Sequence, residues 1–133
     1  MTEEEIEEAK DEITINSLFI SLIIALAMGE IQRFSKVTPL LDKLNAEGAL
    51  SKNLYNGLYM STLKVVITSI ENKIDEIILP LMKKTQDMVL NYKPYLPDKL
   101  LNTFKETQET LASLISKQNE VKALLEEYDN LNK

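Results

Sequence analysis

Along nearly the whole of this chain apolar residues return every three or four positions, the spacing that gathers side chains on one face of an α-helix. Ile6, Ala9, Ile13, Ile20, Ile23 and Ala27 keep that step, with Asn16 where a seventh member falls. Leu63, Ile67, Ile70, Ile74, Ile77 and Leu81 keep it again. A third stripe, from Leu100 through Phe104, Thr107, Leu111, Leu114, Gln118, Val121 and Leu125 to Tyr128, alternates four- and three-residue steps as a coiled-coil seam does. Leu101, Ile115 and Leu124 widen this seam beyond the needs of a thin rod, which favours a globular bundle. The run LKVVITSI, from Leu63 to Ile70, is β-branched enough for a strand, but it continues a helical stripe on both sides and reads as helix. With three Gly and four Pro in 133 residues there is little material for hairpins or phosphate-binding loops. The expected fold is therefore all-α, an antiparallel helical bundle of three long helices plus one short helix, in a single domain over residues 1–133.

The boundaries follow from local chemistry. The first helix is expected from Thr2 to about Phe34. Thr38 before Pro39 marks a new start, since a hydroxyl can cap free amides and proline at the first helical position loses no bond; a short helix to about Glu47 follows. Gly48 then accepts the left-handed backbone of a C-terminal cap. Ser51 caps the next helix, whose stripe carries on through Pro80. A proline there removes one hydrogen bond and clashes with the Glu76 carbonyl, so this long helix is expected to kink at Pro80 and resume to about Tyr92. Pro94 and Pro97 bracket the loop KPYLPD before the last helix. Met60, Met82 and Met88 read as core fillers.

The chain contains neither Cys nor His. That removes disulfides, thiolate nucleophiles, Ser-His-Asp chemistry, HExxH zinc sites and the Glu-x-x-His di-iron pattern of ferritin-like bundles. No catalytic, cofactor-binding or metal-binding residue is assigned, and the chain is expected not to be an enzyme. Hydrophobic residues at 44% and charged residues at 27% describe an ordinary globular protein that folds alone or with copies of itself. The acidic opening does not resemble a basic secretory signal or presequence, so no targeting segment is expected.

Charge is unevenly placed. The first twelve residues hold seven acids against Lys10, a charge of −6 that equals the net charge of the whole chain. Glu3, Glu4, Glu5, Glu7 and Glu8 have two readings: they favour the N-terminal end of a helix dipole and keep the end solvated, or they steer the protein toward a basic surface such as a nucleic-acid-binding channel. Lys83, Lys84, Lys93 and Lys99, with Tyr92 and Tyr95 among them, form the one basic neighbourhood. In an up-down-up bundle it lies beside the acidic start, so internal complementarity accounts for it. Direct nucleic-acid binding is not favoured, because a net-acidic chain with one Arg lacks a broad basic face.

No charge intervenes between Glu12 and Glu30. The stretch approaches the lower limit for a transmembrane helix, about 17 residues, but Thr14, Asn16, Ser17 and Ser21 dilute it, and its acidic flank is unlike an interfacial anchor. A buried core helix is the preferred reading and membrane association the weaker one. Phe19, Leu22, Leu26 and Ile31 supply a second apolar face, which places this helix at the centre of the bundle or against another subunit. Thr107 and Gln118 either set register in the last seam or face water.

In texture, rich in Ile, Lys, Asn and Glu and free of Cys and His, the chain resembles the small helical proteins of crenarchaeal viruses such as Acidianus two-tailed virus. That group includes virion components and a helical-bundle inhibitor that occupies the DNA channel of host RNA polymerase. The resemblance carries no binding residues with it. Taken with the residues, it leads to the expectation of a structural or interaction protein, cytoplasmic or in a virion, that self-associates through apolar helix faces around Phe19, Leu22 and Leu26. The alternative is a regulator of a nucleic-acid enzyme such as RNA polymerase, acting through the acidic tip.

Overall fold

The computed structural model describes residues 1–49 and 51–131, with side chains to Glu127, so the side chain of the stripe position Tyr128 lies outside the described residues. The protein is all-α, with no strand among the described residues. Helix α1 spans Glu3–Ala46; α2, Lys52–Asn72, passes through a π-helical turn at Lys73–Ile78 into α3, Leu79–Tyr92; a 3-10 turn at Lys93–Tyr95 leads to α4, Asp98–Leu131.

Two sequence expectations are corrected. The separate short helix does not exist, because α1 runs through Pro39 to Ala46. Thr38 does not cap free amides. Its hydroxyl donates to the Phe34 carbonyl at 3.0 Å, a mid-helix bond. Phe34 is buried and Leu41 packs on the same cluster, so the apolar stripe crosses the proline and its packing offsets the roughly 3 kcal/mol that an interior proline costs. Gly48, at φ 75°, ends the helix in the left-handed conformation, with the Ala49 amide bonded to the Leu44 carbonyl.

At Pro80 the helical path continues, but a π-helical turn stands where a kink is expected. The Leu79 amide bonds to the Ile74 carbonyl, five residues back. A wider turn fits a residue that cannot donate. It also advances the buried face by one position: Ile78 and Met82 are buried after Ile74, whereas Ile77 is exposed and Leu81 only half-buried.

By its contacts the chain divides into two compact units. The first comprises residues 1–25 and 72–113. Here Ile13, Ile20 and Ile78 are fully buried, each contributing about 1.5–3 kcal/mol by leaving water. Lys84 of α3 meets Glu12 of α1 at 2.9 Å, and the Ser21 hydroxyl of α1 lies 3.1 Å from that of Thr107 on α4. Leu96 is buried just before α4 begins at Asp98.

The second unit comprises residues 26–71 and 114–133. Its core gathers Phe34, Tyr59, Leu63, Ile67 and Val121 from three helices, with Ile31, Leu41, Val66 and Leu125 packed against them. Phe34 and Tyr59 meet edge to face at 5.8 Å, and Tyr55 donates to the Asp42 carboxylate. Residues late in α1 thus meet residues early in α2, the antiparallel order. Lys122 pairs with Glu71 across α4 and α2. The run from Leu63 to Ile70 is helical, as its spacing requires.

Candidate interaction surface

The buried members of α1 are Ala9, Ile13, Ser17, Ile20, Ile24, Ala27 and Phe34, a run that alternates three- and four-residue steps over most of its length. Two differ from the stripe read in the sequence. Ser17 and Ile24 are buried where Asn16 and Ile23 are expected, and both of these are half-buried. The helix therefore sits rotated by part of a residue step, which turns its second apolar face away from the core.

Three members of that second face are open, while the fourth, Ile31, is half-buried against the core of the second unit. Leu22 is 65% exposed, Leu26 60% and Phe19 45%, joined by Ile15 at 64% and Leu18 at 54%. The reading that α1 is buried on more than one side is corrected accordingly: one face is buried and the opposite face meets solvent. Within α1 an 18-residue window of mean hydropathy 1.8 is only 28% buried, and by length and composition the helix is long and apolar enough to cross a membrane. Ile15 and Leu18 were not singled out by sequence. Their signal was the missing charge between Glu12 and Glu30, which does not say which side of the helix faces out.

The acidic tip is a separate feature at the start of the same helix. Thr2 caps it, accepting the Glu5 amide at 3.1 Å, and Glu3, Glu4 and Glu5 occupy the first turn, where carboxylates complement the dipole. All five glutamates are exposed, and Glu7 pairs with Lys10 at 3.0 Å. Glu3, Ile6, Glu7 and Lys10 line a shallow hollow with Tyr95, so one residue of the basic neighbourhood does reach the tip. Lys84 answers Glu12; Lys83, Lys93 and Lys99 remain exposed.

The polar seam residues are buried, Thr107 at 2% and Gln118 at 6%, which removes the reading that they face water. Of the proposed fillers, Met82 is buried and Met60 and Met88 are half-buried. In the second unit a hollow of about 550 Å³ lies between α1 and α4, with Lys36, Lys117 and Glu120 at its rim over Ile31 and Val121. A second, of about 370 Å³ between α1 and α2, is lined mainly by Phe34, Val37, Val65 and Val66. Among the described residues no three acidic side chains converge as a metal-binding set.

The most developed surface is thus the apolar face of α1, bounded by charge at both ends, with the glutamate tip beyond it. In comparison with known proteins, no family model matches this chain, no curated protein matches it, and no solved structure matches it.

Proposed function

We propose that this is a non-enzymatic structural protein that assembles with copies of itself through the outer face of α1, in the manner of a virion component. The observation that carries the reading is the exposure of Phe19, Leu22 and Leu26 together, on a helix with no charge between Glu12 and Glu30. Contiguous apolar surface of this kind on a soluble protein marks an interaction site. Isolated exposed leucines would need no explanation, but five large apolar residues on one face do.

Size-exclusion chromatography with light scattering tests this. The native protein is expected to exceed its 15.2 kDa monomer mass, and the variant Leu22→Lys/Leu26→Lys to run as a monomer with unchanged helical circular dichroism. A native protein that stays monomeric at millimolar concentration would remove the proposal.

A second reading draws on the five exposed glutamates at the start of α1. They supply a compact negative tip able to enter a basic channel, as in an inhibitor of RNA polymerase.

A further inference from the structure

The hollow of about 550 Å³ between α1 and α4 belongs wholly to the second unit, and none of Phe19, Leu22 and Leu26 lines it. Positions 28, 31, 32 and 35 of α1 and positions 117, 120, 121 and 124 of α4 do, the same three- and four-residue steps on both helices, so one stripe of each forms a wall. Its depth is apolar. Phe34 and Val121 are buried, and Met28 and Ile31 half-buried. The Phe34 ring is already engaged edge to face with Tyr59, which leaves mainly aliphatic surface and the adaptable thioether of Met28 for a ligand. Ser35 donates to its own helix at the Ile31 carbonyl, Gln32 is exposed, and no buried polar side chain lines the hollow to orient a ring.

The rim is cationic, in a chain of net charge −6. Lys36 and Lys117 stand there against Glu120 alone, and all three are exposed. Lys36 has no ion-pair partner among the described residues. Lys117 meets Glu120 at 3.4 Å; an exposed pair of that length contributes little, and an ammonium group has two further protons to donate. We propose that this hollow binds a long-chain carboxylate, its alkyl chain along Ile31, Phe34 and Val121 and its head group on Lys36 and Lys117. The volume falls within the range of small-molecule sites, about 300–1,000 Å³. Charge selects the anion: a cationic amphiphile of the same length would meet two like charges at the rim.

Isothermal titration calorimetry of the full chain with dodecanoate, kept below its micelle concentration, is expected to show one molecule bound per chain. Dodecyltrimethylammonium, with the same alkyl chain and the opposite charge, should bind at least about tenfold more weakly, and acetate, the head group alone, should give no signal. Lys36→Gln/Lys117→Gln should weaken dodecanoate binding by about tenfold or more with unchanged circular dichroism, since both side chains are exposed. Lys52→Gln/Lys64→Gln removes the same charge from α2 and should leave the affinity within about twofold. No binding of dodecanoate, equal binding of the two amphiphiles, or equal loss from the two lysine pairs overturns the assignment. So does binding that survives Lys36→Gln/Lys117→Gln and is lost with Leu22→Gln/Leu26→Gln, which would place the alkyl chain on the outer face of α1.

Discussion

Thr107 shows why a buried polar residue is tolerated in an apolar seam. Its hydroxyl lies 3.0 Å from the Thr103 carbonyl and 3.1 Å from the Ser21 hydroxyl, which itself donates to the Ser17 carbonyl. With one proton apiece the two hydroxyls can make only two of these three bonds, and when both donate to backbone carbonyls neither depends on the other. Thr107→Val is therefore expected to change stability by no more than about 1 kcal/mol, the net worth of one hydrogen bond. Leu114→Ala, at a fully buried position of the same seam, should cost about 2–5 kcal/mol. Urea denaturation of the two variants checks the contrast; a large loss for Thr107→Val would mean that the link to Ser21 sets the helix register. Ser17 has a less comfortable place. Its hydroxyl and the Asn16 amide nitrogen are buried with no hydrogen-bond partner among the described residues, a penalty that packing on either side must offset.

At the scale of elements, the π-helical turn and Pro80 belong together. Pro80→Ala returns an amide to the helix, but Ile74, Ile78 and Met82 are already placed for the wider turn. The melting temperature should move by only a few degrees and the helical signal stay unchanged. Destabilisation beyond about 3 kcal/mol would show that the ring itself is packed, against its exposed position. These elements also show what the sequence could and could not disclose. The existence and type of every long helix was legible, because stripes of this length have no other period. The face was not. Asn16 and Ser17, Ile23 and Ile24, and Ile77 and Ile78 are neighbours that suit a helical stripe equally well, and packing or a backbone turn decides between them. Pro39 misled because its local preference is outweighed by Phe34 and Leu41, distant in sequence from the residues they pack on. Phe19, Leu22 and Leu26 were legible as an extra apolar face, whereas their exposure was not.

For the whole molecule, net charge and its location matter most. Changing Glu3, Glu4, Glu5, Glu7 and Glu8 to Gln takes the net charge from −6 to −1. Exposed charges at a helix end contribute only about 0.3–1 kcal/mol each, so the protein should stay folded by circular dichroism. If the tip enters a basic channel, association with RNA polymerase should slow and its salt dependence flatten, since such steering is screened over about 10 Å at 0.1 M salt. Equal binding by both forms would exclude the tip as the basis. The π-helical turn also bears on the chain as a whole. From Lys52 to Tyr92 the path holds one residue more than a regular α-helix would need to present the same buried positions. This is where the chain can lose a residue without rotating one end of the helix against the other, so length variation among descendants of this sequence would be absorbed at Lys73–Ile78 before it disturbed either packed face.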